Sequence, residues 1–323
     1  MKRILITGFS GFVASHFVEY LYTEKPNYEI YGIDINVPKF DYSRFSDRLK
    51  IHFKTVDMTQ MESVREVVST FKPDYILHLA AFSSVAYSWK YPSDSFTNNC
   101  NIFLNLMSVV RGICPECRIL SVGSSEEYGN VTHENLPIRE NQKVNPVSPY
   151  AVARVSQEML SKVFVDAYGM EIVLTRSFNH IGPRQDERFV VPSFIKRILD
   201  IKNSGKSKGE IETGNLTIIR DFVDVRDVVR AYYLLLNKGR KGEIYNICSG
   251  KGITLREVVK LIADEVGVKV TTKINPDYVR PSDNMEIVGS AYKLESELSW
   301  ERMYDFKQTI EDMVKHMAGD VNK

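Results

Sequence analysis

The sequence predicts an α/β fold in which a doubly wound parallel sheet is joined by a second, smaller α/β lobe. Over the first 180 residues, short runs rich in β-branched side chains alternate with longer segments of helical periodicity. Several of the short runs are apolar almost throughout, as in parallel strands that are covered on both faces. Such alternation implies right-handed strand–helix–strand crossovers, and these build a doubly wound sheet.

The expected elements follow in order along the chain. Strands are predicted at residues 3–7, 29–34, 51–57, 75–81, 118–124 and 171–177. Helices are predicted in the segments GFVASHFVEYLYTE, MESVREVVSTF, FTNNCNIFLNLMSVV and SPYAVARVSQEMLSKVFVDAYG. After about residue 180 the periodicity weakens, and polar stretches separate the remaining elements. We therefore expect a larger domain of residues 1–178 plus roughly 216–246, and a smaller lobe of residues 179–215 and 247–323.

Composition and charge exclude several classes of function. The chain has 323 residues, of which 43% are hydrophobic and 26% charged, as is ordinary for a globular protein. Its 42 basic and 41 acidic side chains leave a net charge of +1, so we expect no nucleic-acid or membrane partner. No window approaches the roughly 18 apolar residues of a membrane span, and the first apolar run is too short for a signal peptide. A cytoplasmic protein is expected.

The four cysteines do not predict a metal site. Cys114 and Cys117 have metal-like spacing, but no second pair or nearby histidine completes a ligand set, and Cys100 and Cys248 lie apart. We expect no metal, and ordinary thiols in a reducing compartment.

Small residues between the first strand and the first helix predict a dinucleotide site. Gly8, Gly11 and Ala14 allow a tight turn, close approach of the backbone to a pyrophosphate, and a helix N-terminus that favours negative charge. Tight strand–helix packing is the alternative explanation for these residues. Asp34 closes the second strand about 20 residues further on, which favours a Rossmann-type dinucleotide-binding domain.

The acidic residue also predicts which cofactor binds. A carboxylate at Asp34 accepts hydrogen bonds from ribose hydroxyls and repels a 2′-phosphate, so NAD is favoured over NADP. Asn36 and Lys39 follow closely and could soften that preference. Asp57 ends the third predicted strand, where it is placed to meet the adenine.

A tyrosine and a cation share one face of the last predicted helix in this domain. Tyr150 and Arg154 are four residues apart in SPYAVAR, so the phenol and the positive charge are neighbours. Phenols ordinarily titrate near a pKa of ~10, so acid/base chemistry at neutral pH requires a nearby positive charge.

Ordered motifs along nearly the whole chain resemble those of the extended short-chain dehydrogenase/reductase family. They are TGFSGFVA, HLAA (78–81), GSSEEYG (123–129), SPYAVAR (148–154), RSFNHIGP (176–183), RDFVDVRD (220–227), YNICSG (245–250) and RPSD (280–283). FNHIGP and RPSD resemble the branch that contains GDP-mannose 4,6-dehydratase and GDP-6-deoxy-4-keto-mannose reductase.

The resemblance implies roles for residues at the catalytic end. Tyr150 would exchange a proton with a sugar hydroxyl or keto oxygen that Ser124 orients. Glu126 would remove the C5 proton in a dehydratase, and Ser125 would contact the substrate. Arg154 stands where the family has lysine; it keeps the charge and the donors, but it cannot exchange a proton near neutral pH. We expect a working site with altered proton transfer; a module that binds nucleotide without turnover is the alternative.

The resemblance also implies binding residues and an assembly. Ala80 and Asn99 would bind the cofactor, with Asn99 near the nicotinamide. Asn179, Arg220 and Arg280 would hold the diphosphate of a GDP-sugar, since arginine donors match phosphate oxygens in pairs. The segments FTNNCNIFLNLMSVV and SPYAVARVSQEML would pair with those of a second copy, giving a homodimer or a homotetramer.

The leading interpretation is NAD-dependent oxidation at C4 of a GDP-linked hexose or heptose, as the first step of 4,6-dehydration. Glu126 does not settle the reaction, since related reductases also have SSE here. Glu127 falls where dehydratases usually have an apolar residue, which favours a 4-keto-reductase. Asp34 favours a dehydratase, because a bound NAD that is reduced and reoxidised in each cycle suits that reaction. A stand-alone C4 dehydrogenase is a further alternative.

Overall fold

A computed structural model describes residues 1–25, 27–279 and 284–319. Its strands are β1 (Lys2–Thr7), β2 (Tyr28–Asp34), β3 (Lys50–Thr55), β4 (Tyr75–His78), β5 (Arg118–Ser124), β6 (Ile172–Ser177), β7 (Asn179–Ile181), β8 (Lys208–Thr213), β9 (Ile219–Asp224), β10 (Ile244–Ile247), β11 (Gly252–Thr254), β12 (Lys269–Ile274) and β13 (Glu286–Ile287).

The helices connect these strands and cover the sheets. They are α1 (Phe12–Glu24), α2 (Met61–Phe71), α3 (Val85–Lys90), α4 (Pro92–Ile113), α5 (Pro149–Tyr168), α6 (Val190–Asn203), α7 (Val225–Lys238), α8 (Leu255–Val266), α9 (Tyr292–Leu298) and α10 (Phe306–Ala318). Short 3₁₀ turns occur at Ser43–Phe45, Ser125–Tyr128, His133–Asn135 and Pro276–Tyr278. In the described part of the chain, no helix has both the length and the apolar character needed to cross a membrane.

Seven strands form one parallel sheet in the order β10-β6-β5-β4-β1-β2-β3. Its two faces are buried by different helices, and β1 shows why its sequence is continuously apolar. Ile4 and Ile6 pack into a core with α1 and α7, whereas Leu5 packs into a core with α2, α4 and α5. Side chains alternate between the two faces of a strand, so a sheet covered on both faces needs apolar residues at every position. The predicted doubly wound fold is confirmed.

The smaller lobe contains two further sheets and a core of its own. Strand β9 pairs with β7, β11 and β13, and β12 pairs with β8. Helices α6, α8 and α10 pack around side chains such as Phe194, Ile262 and Ile310. Strand β9 belongs to the smaller sheet, and the helix that follows it, α7, packs with α1 against the larger one.

The strand order changes direction between β1 and β4, and this creates the crevice where ligands bind in open α/β sheets. Predicted and observed strand ends agree closely, except that β3 ends at Thr55 rather than Asp57, and β4 ends at His78, so that residues 79–81 form a loop. The carboxyl ends of all these strands lie at one edge of the sheet. The predicted site residues that follow them are therefore brought to a common edge.

Candidate active site at the carboxyl edge of the sheet

The glycine turn after β1 packs directly against the end of β4. Gly8 has φ +70°, and a Cβ at this position would lie 2.8 Å from the backbone nitrogen of Ala80, so the close approach requires glycine. The Gly11 amide donates to the Gly8 carbonyl over 3.0 Å, and α1 begins at the next residue. Ala14 is fully buried in the first turn of that helix. The tight turn and the helix N-terminus fit the pyrophosphate of a dinucleotide.

Asp34 connects this turn to the ends of the second and third strands. Its two carboxylate oxygens accept from the backbone amides of Ser10 at 3.0 Å and Asn36 at 2.9 Å. Its own carbonyl accepts from the Val56 amide at 2.8 Å, which places the segment before Asp57 alongside. A carboxylate has about four acceptor positions, so Asp34 retains capacity for ribose hydroxyls.

Asp57 is an exposed carboxylate with local partners. Its Oδ1 accepts from the Thr59 hydroxyl at 2.6 Å and the Thr59 amide at 2.9 Å. These hydrogen bonds lower the pKa of Asp57 below its usual value. The residue thus caps the turn after β3 in its charged form, close to Asp34.

Asn99 acts on the site through the loop that follows β4. This buried side chain on α4 accepts from the Phe82 amide at 2.8 Å and donates to the Phe82 carbonyl at 3.2 Å. The Thr7 hydroxyl holds the same loop, since it accepts from the Ala80 amide at 3.1 Å. Thr7 and Asn99 therefore fix the loop backbone at Ala80 and Phe82 respectively, and Asn99 Oδ1 also accepts from Asn98 Nδ2 at 3.2 Å.

Helix α5 places Tyr150 in its first turn. The Ser148 hydroxyl caps the helix by accepting from the Ala151 amide at 3.1 Å, and Pro149 occupies the first helical position. Tyr150 is 7% exposed, and its hydroxyl oxygen accepts from Arg154 Nε at 3.2 Å. The phenol and the cation predicted to share a face are in direct contact.

Arg154 points inward from α5 to the strand that ends at Ser124. Its Nη1 donates to the Val122 carbonyl at 3.1 Å and to Gln157 Oε1 at 2.7 Å. Gln157 in turn donates to the Ser121 hydroxyl at 2.9 Å and to the same Val122 carbonyl at 3.1 Å. The Nη2 of Arg154 has no hydrogen-bond partner in the described part of the chain.

Gln157 is a site residue that the sequence interpretation missed. Its position three residues after Arg154 places it on the same helix face, so helical spacing could have identified it. The geometry makes it the support of the Arg154 guanidinium. Lysine offers no planar fork for such a contact, so Gln157 suits the arginine in particular.

Ser124 ends β5 and caps the 3₁₀ turn that carries Ser125 and Glu126, and α5 packs against this turn. The Ser124 hydroxyl accepts from the Glu126 amide at 3.2 Å, so it caps the turn and still has a proton to donate. Ser125 is buried. The half-buried carboxylate of Glu126 has no hydrogen-bond partner among the described residues, so it remains free to act as a base.

Glu127 points to the opposite side of this turn. It is 0% exposed, and its Oε1 accepts from the Ser124 amide at 2.7 Å. The side chain therefore cannot contact a sugar directly. In the sequence, a glutamate at this position favoured the reductase because dehydratases usually have an apolar residue there. Because Glu127 is fully buried, any effect that it has on the reaction does not arise from contact with the substrate.

The predicted substrate residues lie in or near the smaller lobe. Ser124 pairs in register with Ser177, so Asn179, two residues further on, lies at the same sheet edge. Arg220 on β9 is 7% exposed, and its Nη1 donates to the carbonyls of Ile219 and Asn284. Arg280 lies outside the described residues.

His78 lies behind the catalytic pair as a neutral side chain. Its Nδ1 is 2.9 Å from the Thr7 hydroxyl, and burial followed by the charge of Arg154 lowers the pKa of His78 to about 3. Across residues 1–25, 27–279 and 284–319, no three His, Cys, Asp or Glu side chains are grouped so that they could hold a metal ion. All four cysteines are free thiols.

Similar proteins combine this fold with several related activities. A GDP-6-deoxy-D-mannose reductase of Pseudomonas aeruginosa is 29% identical over 309 residues, covering 96% of this chain and 95% of its own. A GDP-mannose 4,6-dehydratase of Yersinia enterocolitica is 28% identical, covering 100% of this chain and 95% of its own. A solved structure, described as RMD from Pseudomonas aeruginosa complexed with NADPH, superimposes with a TM-score of 0.83 at 28% identity and covers 99% of both chains.

The family itself is shown by a match that spans almost the whole chain. The family model described as GDP-mannose 4,6 dehydratase matches residues 5–313, which include the glycine turn, the Ser124 turn and the Tyr150 helix. The resemblance to the extended short-chain dehydrogenase/reductases is thereby confirmed, and the chain belongs to the GDP-mannose 4,6-dehydratase family.

Proposed function

We propose that the protein is an NAD-dependent GDP-sugar 4,6-dehydratase acting on a GDP-linked hexose or heptose. The observation that carries this proposal is the free carboxylate of Glu126, two residues from Ser124 at the edge reached by Tyr150. A dehydratase needs a base for the C5 proton in addition to the acid/base group at C4, whereas a plain C4 oxidoreductase does not. The family match and the dehydratase relative support the same reaction.

The residues at this edge divide the proton transfers between them. Tyr150 takes the proton of the C4 hydroxyl, and Ser124 donates a hydrogen bond to the same oxygen. Arg154 stabilises the phenolate through its Nε–H and keeps a fixed charge beside it. Once C4 is a ketone, the C5 proton becomes acidic; Glu126 takes that proton and passes it to the departing C6 hydroxyl, which leaves as water. After hydride reaches C6, a solvent proton delivered by Glu126 restores C5.

We propose that NAD is held by Gly8, Gly11, Ala14, Asp34, Asp57 and Ala80, with Asn99 acting through the Phe82 loop. When bound, NAD would supply the acceptor for the hydride from C4 and the donor of that hydride to C6. We propose that Arg154 Nη2, which has no other partner among the described residues, donates to a ribose hydroxyl. Asn179, Arg220 and Arg280 are proposed to hold the diphosphate of the substrate.

The second candidate is a 4-keto-reductase, favoured by the reductase relative. The similar solved structure described as RMD from Pseudomonas aeruginosa is complexed with NADPH, whereas Asp34 here would repel a 2′-phosphate. Cofactor preference therefore separates the two candidates.

The test is to incubate purified protein with GDP-mannose without added cofactor, following absorbance at 340 nm and the mass of the sugar. Loss of one water without lasting NADH supports the dehydratase. Stoichiometric NADH with a product two hydrogens lighter means a C4 dehydrogenase. No change with GDP-mannose, followed by oxidation of NADH or NADPH with a GDP-4-keto-6-deoxy sugar, would identify the reductase instead.

Arg154→Met is expected to lower kcat by about 10²–10³-fold, the usual cost of removing one donor to a developing oxyanion. Arg154→Lys, the matched variant, keeps a charge near Tyr150 and should remain within about tenfold of wild type. Single-turnover rates at saturating substrate measure both. A Met variant as fast as wild type would show that Arg154 does not stabilise the phenolate, and a Lys variant much faster than wild type would show that the natural arginine impairs the site.

We propose that the chain forms a homodimer through α4 and α5. Exposed apolar side chains run along one face of α5 at Val152, Met159 and Val163, and α4 exposes Phe96 and Leu104 beside it. The spacing of seven and four residues gives a continuous stripe that a second copy can cover.

Val163→Glu should convert the dimer to a monomer, because it buries an unpaired charge in that interface. Light scattering after size exclusion measures the mass. Ile274→Glu, at an exposed apolar residue of the smaller lobe, is the control and should stay dimeric. A wild-type protein of single-chain mass would contradict the proposal.

A further inference from the structure

A buried cluster of charged side chains lies directly behind the Ser124 turn. Its members are Glu127 from the turn, Glu158 from α5 and Arg176 from β6, which are 0%, 7% and 3% exposed. The cluster joins the elements that carry Ser124 and Tyr150 to strand β6. Any change in its charge therefore acts on the relative positions of the catalytic groups.

Glu127 holds the backbone of the catalytic serine. Its Oε1 accepts from the Ser124 amide at 2.7 Å, and a Cβ on residue 123 would come within 2.4 Å of that oxygen, so only Gly123 leaves room. Its Oε2 is buried without a hydrogen-bond partner in the described chain, and the nearest cation, Arg176 Nε, is 3.8 Å away. One oxygen of Glu127 is thus committed to Ser124, and the other lacks a donor.

The arginine of the cluster is committed to the other carboxylate. Arg176 donates from Nε to Glu158 Oε2 at 2.8 Å and from Nη2 to Oε1 at 2.9 Å. Lys162 donates to the same Oε1 at 2.9 Å. Two cations therefore donate hydrogen bonds to the Glu158 carboxylate. Glu127 has only Arg176 nearby in the described chain, at 3.8 Å and without a hydrogen bond.

These contacts give the two carboxyl groups opposite titration behaviour. Burial alone would raise the pKa of Glu158, but hydrogen bonds from Arg176 and Lys162 hold it below its usual value. Burial, followed by the negative charge of Glu158, raises the pKa of Glu127 from 4.5 to about 8. Two buried carboxylates beside one guanidinium cannot both ionise cheaply.

We infer that Glu127 is a positioning residue that stays protonated at neutral pH. Its carboxyl proton is donated in a hydrogen bond to Glu158, and its Oε1 holds the Ser124 backbone by accepting from the amide. This inference rests on the proposed function, because it assigns Glu127 to the turn that presents Ser124 and Glu126 to the sugar. The protonated acid donates from Oε2, which removes the unpartnered acceptor. This role also accounts for an ionisable side chain at a position where the resemblance to dehydratases implies an apolar one.

Loss of this proton to solvent would place two negative charges around Arg176. The other charged or titratable groups near the cluster are Lys162 on α5, Tyr128, whose ring lies 4.6 Å from the Arg176 guanidinium carbon, and Glu140, whose carbonyl accepts from Arg176. None of them adds a donor to Glu127 Oε2. We expect the turn carrying Ser124 to shift, with loss of activity, as pH rises through about 8.

Glu127→Gln tests the inference, because the amide keeps an acceptor for Ser124 and a donor for Glu158 but does not titrate. Wild-type kcat should fall about tenfold between pH 6 and pH 9, as one-proton titration predicts, whereas E127Q should keep more of its activity at pH 9. Glu127→Leu, which has no acceptor for Ser124, should be slower than E127Q at every pH. Glu134→Gln, at an exposed glutamate, is the control and should follow wild type.

Thermal unfolding tests the buried proton without any substrate, so its result does not depend on the reaction. The folded chain keeps a proton that the unfolded chain releases above pH 4.5, so this group makes stability fall as pH rises from 4.5 to about 8. E127Q does not lose stability through this titration, so the Tm of E127Q minus the Tm of wild type should increase from pH 5 to pH 8. A Tm difference that does not change with pH, or an identical alkaline loss of kcat in wild type and E127Q, would overturn the inference.

Discussion

Tyr150→Phe is expected to lower kcat by about 10²–10⁴-fold, the usual contribution of a positioned acid/base group. The hydroxyl is the only part removed, and it is the atom that Arg154 Nε contacts at 3.2 Å. Without it, the C4 hydroxyl has no base, and the Ser124 hydroxyl cannot replace it because serine remains protonated near neutral pH. Rapid-quench measurement of the sugar product at saturating GDP-mannose measures the effect.

The binding steps should survive this substitution. Tyr150 is largely buried in the first turn of α5, and phenylalanine preserves its ring packing, so the affinity for NAD should change little. Tyr168→Phe, at an exposed tyrosine at the end of the same helix, is the matched control and should retain full activity. Full activity in Tyr150→Phe would remove the phenol from the mechanism, whereas loss of cofactor binding would point to a structural role.

The fold was largely predictable because local pattern and tertiary environment agree. Ile4, Leu5 and Ile6 are apolar at consecutive positions, as a sheet covered on both faces requires, and β1 is an interior strand of that sheet. The sheet to which β9 belongs was not predictable from its sequence. Its sequence is compatible with either sheet, and its partners β7, β11 and β13 are short strands with little pattern of their own.

The candidate site was predictable where spacing alone determines geometry. Gly8 and Asp34 end neighbouring parallel strands, so they must meet at one edge, and Tyr150 and Arg154 are one helical turn apart. The direction of the Arg154 guanidinium could not be predicted, because it depends on Val122 and Gln157 from two different elements. The burial of Glu127 was equally hidden, since neighbouring Glu126 has the same side chain and faces the other way.

Glu126→Gln should separate oxidation at C4 from dehydration. The amide has nearly the same shape but cannot accept the C5 proton, so loss of water should slow by about 10²–10⁴-fold. Tyr150, Arg154 and Ser124 are untouched by the change, and oxidation at C4 should proceed. We therefore expect one equivalent of NADH per active site at 340 nm, together with a sugar that has lost two hydrogens and no water.

Exchange at C5 gives an independent measurement of the same step. In deuterium oxide, wild-type protein should place deuterium at C5 of the product, and the Glu126→Gln variant should not, because its amide cannot carry the proton. Glu126→Asp is the matched variant, since it keeps a carboxylate on a shorter side chain and should restore partial exchange. A Glu126→Gln protein that still releases water at the wild-type rate would assign the base to another residue, and a wild type that never exchanges C5 would favour the reductase, in which Glu126 has no proton to move.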